Sequence, residues 1–380
     1  MSHANEHEFI ELARDLDAEA FWQENELCGK FTASKPRCGM FFSPDDHWLF
    51  EFLDVVSTIR YYEDKSHRDA LHKEANAITR EHVGKAFFDE DSWEHSPKRV
   101  ENLFGSEFRY EENGTPWLQP VTNDPEEFAR VLDRAETVEM SEWALPEPFL
   151  KEWDHRQADG KPMPLLGTGS RGPATIMTSV LSAEDVFFWM EDHPDLMRRF
   201  SDLLATKMIE FNRALREFSG NDRPGWWITD DNCALFNRDL YREYCYPVLE
   251  EVMDALAPGE APRYQHSDSS MEHLLDYQYA LGIRSVNYGP EIDVRRIRLK
   301  MPATMINGHM PPFLLRNAGP YEIRDRVISD FEKAGDGGGL TVTTAGSLAA
   351  GTGVGRMRWL MHCTQKHCRY DSPETNRAAS

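Results

Sequence analysis

Two hydrophobic periods alternate along most of this chain. Short apolar runs bounded by glycine, proline or polar turns lie at 35–43 ("KPRCGMFFS"), 164–170 ("PLLGTGS"), 225–229 ("GWWIT") and 262–266 ("PRYQH"). More follow at 284–288 ("RSVNY"), 303–307 ("ATMIN") and 340–344 ("LTVTT"), and another falls at 103–110 or 117–121. Each has the length and punctuation of a β-strand. Between most of them the apolar residues recur at helical spacing: 183–219 is long and strongly amphipathic, and 237–257, 270–281 and 321–334 follow. The first 31 residues read as one or two helices, and Ser43 is placed to cap a further helix opening at Pro44.

Strands that alternate with helices pair in parallel, because parallel neighbours need long crossover connections. Eight such units predict an α/β fold, a single (β/α)8 TIM barrel with extra N-terminal helices. A doubly wound open sheet is the competing architecture, but no GxGxxG follows an early strand. The expected organisation is a helical extension over 1–34, the barrel over 35–370 and a flexible tail over 371–380.

Composition narrows the function. The chain is 40% hydrophobic and 28% charged, as a globular protein with a sizeable core should be. Its longest apolar runs are too short to span a bilayer, and the acidic start "MSHANEHEFIELARD" lacks the apolar stretch of a leader, so a cytoplasmic location is expected. A formal charge of −23 argues against nucleic acid as a partner. The six cysteines show no disulfide framework, and "HCTQKHC" (362–368) offers only Cys363 and His367 at chelating helical spacing, so it reads as a solvated helix end. His47, His67 and His72 on charged helices read as surface residues.

A barrel of this type carries its chemistry at the C-terminal ends of its strands. There the sequence places Arg171, then Asp230 and Asp231, then His266, Ser267 and Asp268, then Asn287 and Tyr288 with Glu291 beyond, and then Asn307, Gly308 and His309. A purely structural barrel needs none of these, and their convergence is the functional signal.

These segments are similar to those of a known superfamily. "GSRGPATIMTSVLSAEDVFFWMEDHPDLMRRFSDLLATKMIEF" resembles the third βα unit of the uroporphyrinogen decarboxylase superfamily, and "ITDDNCALFNRDLYREYCYPVLEEV" resembles its Asp-Asp segment. "PATMINGHMPP" resembles its Gly-Asn-x-x-Pro region in altered order. The resemblance covers about 160–365 and implies a (β/α)8 barrel. It also implies one of two chemistries: cofactor-free decarboxylation, or zinc-dependent methyl transfer with corrinoid proteins. The decarboxylase's basic motif, Met-Arg-Gln-Ala-Gly-Arg-Tyr, is replaced by "RCGMFFSPDDHWLF", with only Arg37 to meet substrate carboxylates. The methyltransferases' His-x-Cys is replaced by His266-Ser267-Asp268, and their later cysteine by "TTAGSL".

If the strand persists, His266 and Asp268 share a face and can chelate one ion, such as zinc, completed by Glu291 or His309. The bland reading is a His-Asp pair that caps the next helix. Asp230 and Asp231 are adjacent and face opposite ways, so one of them enters the cavity, as a proton donor with a raised pKa; the bland reading is that one of them caps the helix beginning near Leu235 or pairs with Arg238. Trp227 (or Trp226) is either a stacking wall or core, and Arg171 is either an anion anchor or an ion-pair partner. Asn287, Tyr288 and Asn307 are candidates to contact substrate.

The expected function is therefore a corrinoid-linked methyltransferase or demethylase acting on a small methylated compound at a metal site. Asp230 or Asp231 handles the proton. The corrinoid belongs to a separate partner protein, because the chain has no Asp-x-His-x-x-Gly motif. The alternatives are a cofactor-free decarboxylase or lyase, and a barrel that binds a ligand without catalysis.

Overall fold

The computed structural model describes residues 6–112, 114 and 116–370, so the tail expected over 371–380 lies outside the described residues. In chain order the strands are β1 (Gly39–Met40), β2 (Phe108–Arg109), β3 (Trp117–Leu118), β4 (Gly169–Arg171) and β5 (Trp226–Thr229). They continue with β6 (Arg263–Ser267), β7 (Ser285–Tyr288), β8 (Met305–Asn307) and β9 (Leu340–Val342). Seven are parallel and alternate with helices, giving an α/β, TIM-barrel-like architecture. The expected eighth parallel strand is instead the β2–β3 ribbon, an antiparallel pair matching Phe108 with Leu118 and Arg109 with Trp117. The short link between these two segments permits a hairpin, whereas parallel pairing would need a crossover of a dozen or more residues.

The chain divides into two compact units. The first (1–92 and 285–380) holds four parallel strands in the order β1-β9-β8-β7. Helices Glu6–Leu12 and Pro320–Asp330 pack against its C-terminal helix Val354–His367. That packing buries His362, Cys363 and Cys368 and overturns the reading of 362–368 as a solvated end. His72 is also buried, its Nε2 3.0 Å from the Tyr61 hydroxyl, whereas His47 and His67 stay partly exposed. Arg37 is fully buried: it pairs with Glu24 at 2.7 Å, donates to the carbonyls of Phe21 and Cys38, and so has nothing to offer a substrate. Asp45, not Ser43, caps the following helix, accepting from the Trp48 N–H at 2.9 Å.

The second unit (93–284) holds β4, β5 and β6 side by side in parallel. Its longest helix, Pro194–Ser219, is opened by Pro194, whose missing N–H costs nothing at that position, and is closed by Gly220 in the left-handed conformation. Met197, Phe200, Leu204, Met208, Phe211 and Leu215 recur along it every three or four residues and are buried. Full burial of such a side chain is worth about 1.5–3 kcal/mol. The single helix expected over 183–219 is two, because Pro194 cannot continue Ala183–Asp192.

Arg216, near the end of that helix, donates to the carbonyls of Gly167, Gly225 and Leu256 at 2.8, 2.6 and 2.8 Å. These carbonyls lie just ahead of β4, just ahead of β5 and at the end of the helix that precedes β6. No helix among the described residues is long and apolar enough to cross a membrane. Arg216→Ala strands three carbonyls at once, and a loss of roughly 2–4 kcal/mol is expected. Urea unfolding checks this: the midpoint should fall with an unchanged slope, and Arg216→Lys should recover part of the loss.

Candidate functional site

The sheet of the second unit has two unlike faces. Trp226, Ile228, Arg263, Gln265 and Ser267 alternate onto a buried face, where the Trp226 indole reaches Asn212 of the long helix at 3.4 Å. The opposite face carries Gly169 and Arg171 of β4, Trp227 and Thr229 of β5, and Tyr264 and His266 of β6. Register aligns these into rows: Gly169, Trp227 and Tyr264 form one, and Arg171, Thr229 and His266 form the next. The period of two then carries Asp231 and Asp268 onto the same face beyond the strand ends.

Those last residues meet. The Asp268 N–H donates to Asp231 Oδ1 at 3.0 Å, and His266 Nε2 lies 3.8 Å from the same oxygen. One donor atom from each of Asp231, His266 and Asp268 lies within 4.8 Å of the other two. Ligand atoms about 2.0–2.2 Å from one zinc ion stand roughly 3–4 Å apart, so modest side-chain rotations close this set on an ion. One imidazole and two carboxylates suit a divalent cation. The Asp268 side chain reaches solvent, yet its carboxyl is raised above the ordinary carboxylate range, first by partial desolvation and then by the Asp231 charge.

Asp230 is different. It is fully buried, and its Oδ1 accepts from the Thr175 N–H at 2.8 Å, capping helix Pro173–Val180. The space exists because residue 172 is glycine: a Cβ there would lie 2.4 Å from the Asp230 carboxyl carbon. Its N–H also donates to the His266 carbonyl at 3.0 Å, which ties β5 to β6 just below the donor group. Asp230 Oδ2 has no hydrogen-bond partner among the described residues. Burial pushes this carboxyl up to about 7, against the Thr175 bond that lowers it. Of the two aspartates, then, Asp231 joins the open face and Asp230 is the cap, though of a different helix from the one expected. Arg238 pairs with Asp276 instead, at 2.6 Å.

Arg171 lies 3.5 Å from the buried carboxylate of Glu101 and 3.3 Å from Ser179 Oγ, which leaves it half-buried and already paired. Trp227 is 40% exposed, and Tyr264 beside it is half-buried, its hydroxyl pushed up to about 12 by desolvation. Tyr264, Thr229 and the ligand role of Asp231 were missed in the sequence. The signal was present in the parity of β5 and β6, but it needed their register.

The remaining candidates belong to the first unit. The Asn287 side chain donates to the carbonyls of Asn307 and Thr344 at 2.5 and 2.9 Å and accepts from the Gly346 N–H at 2.9 Å, fastening strand ends together. The Asn307 amide donates to Ser285 Oγ and the Val286 carbonyl. Tyr288 is fully buried, and Glu291 is exposed. His309 is buried with Nε2 2.7 Å from the Ile292 carbonyl, and burial pulls it down to about 4, which keeps it neutral.

The Asp230 carboxyl gives a pH signature. Its folded value lies above the ordinary 3.8, so the folded state holds the proton more tightly than the unfolded chain. Stability at this residue is intact at low pH, falls as pH rises from about 4, and is fully lost above about 7. Asp230→Asn keeps the capping oxygen and removes the titration. Relative to the parent chain it should gain on the order of a few kcal/mol between about pH 5 and about pH 8. Urea midpoints of the two proteins at both pH values measure this difference.

Comparison with known proteins places the chain. The structure is similar to a methyltransferase from Methanosarcina mazei, with a TM-score of 0.60 at 14% identity, covering 90% of this chain and 97% of the other. That likeness carries the fold and confirms the TIM-barrel-like class. Among curated protein sequences none matches. The family model for uroporphyrinogen decarboxylase (URO-D) matches residues 100–367, well over half the chain, and the chain therefore belongs to the uroporphyrinogen decarboxylase family.

Proposed function

We propose that this protein is a metal-dependent methyltransferase that removes a methyl group from an oxygen or nitrogen of a small substrate and delivers it to a corrinoid carried by a separate protein. The observation that carries the reading is the meeting of Asp231, His266 and Asp268 on adjacent strand ends. These three residues would hold a divalent cation such as zinc. Bound there, the cation would supply Lewis acidity to the methyl-bearing heteroatom, a task better suited to carboxylate and imidazole donors than to thiolates. The remaining residues position. The N–H of Asp230 fixes the β6 main chain at His266, and its carboxyl anchors the helix that begins beside Arg171. Trp227 and Tyr264 offer an aromatic surface directly below the donor group. As the methyl leaves, the heteroatom keeps the bonding pair and takes up a proton. The likeness to the Methanosarcina methyltransferase supports this branch of the family, as does the burial of Arg37, the one arginine in the segment that stands in place of the decarboxylase's basic motif.

Elemental analysis of the purified protein after zinc addition and desalting is the direct test. About one equivalent is expected, with Asp231→Ala, His266→Ala and Asp268→Ala each weakening binding beyond the roughly 10–100-fold that loss of an outer-shell partner costs, and Asp230→Asn retaining the metal. A parent protein that stays empty would overturn the metal reading. The same three groups would then be an acid–base set for a decarboxylase, a role that the raised Asp268 carboxyl suits.

A further inference from the structure

Trp227 is set unlike an ordinary core tryptophan. Its neighbour Trp226 takes the core position, 2% exposed, while Trp227 stands 40% exposed on the opposite face of the same strand. The indole is nonetheless fixed. It lies against Gly169, its register partner on β4: a Cβ at residue 169 would fall 2.2 Å from the nearest ring atom, far inside van der Waals contact. Its Nε1–H donates to Thr168 Oγ1 at 3.2 Å, which sets the rotation of the ring. One face of the indole is therefore seated on backbone and its edge is tied down, and the exposed area belongs to what remains. Tyr264, the register partner on β6, stands beside it on the same face. The next row up the sheet ends in His266, and Asp231 and Asp268 lie beyond it.

A pinned, open aromatic ring one row below a set of polar donors is a platform for a flat ligand, since ring faces attract other ring faces in offset stacks. We propose that Trp227, seated on Gly169 and flanked by Tyr264, stacks the ring of an aromatic substrate and directs its methylated oxygen or nitrogen up the sheet toward Asp231, His266 and Asp268. The substrate class is an aryl methyl ether or an N-methylated heteroaromatic, in place of an aliphatic methyl donor. The methyl group in this statement rests on the methyltransferase reading, while the ring does not.

Calorimetry with para-methoxybenzoate and its ring-saturated counterpart tests the platform, because the two acids share carboxylate and methyl ether and differ in the flat ring. The aromatic acid should bind about tenfold or more tighter, in line with the strength of aromatic stacking. Trp227→Leu should abolish that preference and Trp227→Phe should keep most of it. Gly169→Ala leaves every aromatic in place but drives a methyl group into the seat of the indole, and it too should abolish the preference. Circular dichroism confirms that the variants are folded, and Gly169→Ala and Trp227→Leu perturb the platform from opposite sides. Equal affinity for the two acids, no binding of either at millimolar concentration, or a preference untouched by Trp227→Leu overturns the proposal. Each titration is run with zinc and again after chelation. A ring preference that survives without any metal uptake sinks the metal reading alone, and metal uptake without a ring preference sinks the platform alone.

Discussion

The strands of this protein are very short, and what fixes where they begin is a set of arginines that hold main-chain carbonyls. Arg216 gathers the carbonyls of Gly167, Gly225 and Leu256. Arg263, the first residue of β6, donates to the carbonyls of Ala257 and Leu281 at 3.0 and 2.6 Å. In the first unit, Arg298 reaches the Thr304 and Gly339 carbonyls at 2.7 and 2.6 Å, immediately ahead of β8 and β9. Helix ends and strand starts leave carbonyls without ladder partners, and a buried unpaired carbonyl is costly. A guanidinium, with its planar fork of donors, satisfies several at once and makes their spacing rigid. Such clamps do at the strand starts what long hydrogen-bonded ladders do in deeper sheets.

The site inherits its geometry from that constraint. With β4, β5 and β6 started in fixed register, every second side chain falls into a row, and the rows order the chemistry: a glycine and two aromatics, then Arg171, Thr229 and His266, then two carboxylates. A shift of one residue in β5 would send Asp231 to the helix-packed face and bring the capping Asp230 forward. The Asp230 cap, its N–H bond to the His266 carbonyl and the glycine at 172 that makes room for its carboxyl all oppose such a shift. A buried aspartate with one unpartnered oxygen is an unfavourable residue taken alone. It is better understood as the fastener of a register on which the open face depends.

Much of this was legible in the sequence, and the failures have identifiable causes. Alternating periods gave the α/β class and seven of the parallel strands within a few residues, because burial on one or both faces writes itself into composition. The eighth failed at 103–121, where apolar runs of strand type are too close in sequence for a parallel crossover and pair as a ribbon. His266 and Asp268 were found through their spacing of two. Asp231 reads in sequence only as one of two candidate proton handlers with Asp230, since its place next to Asp268 depends on the pairing of β5 with β6, a contact 37 residues apart that no local pattern records. In sequence Arg37 reads as open to a substrate, His72 as a surface residue and 362–368 as a solvated helix end. Their burial comes from long-range packing, as in the Val354–His367 helix covered by Glu6–Leu12.

The charge balance of the open face argues for what it binds. Asp231 and Asp268 bring two carboxylates together beside the His266 imidazole. Arg171, in the same row as His266, is held by the buried Glu101 carboxylate, so the pair adds no net charge. Two carboxylates this close repel, and part of that repulsion is already expressed in the raised Asp268 carboxyl. A site can relieve such strain by taking up a proton or by taking up a cation. Retaining both carboxylates beside an imidazole, at positions set by register and by a buried cap, favours the cation. A proton needs only one of them, and leaves the second carboxylate as an unneeded cost.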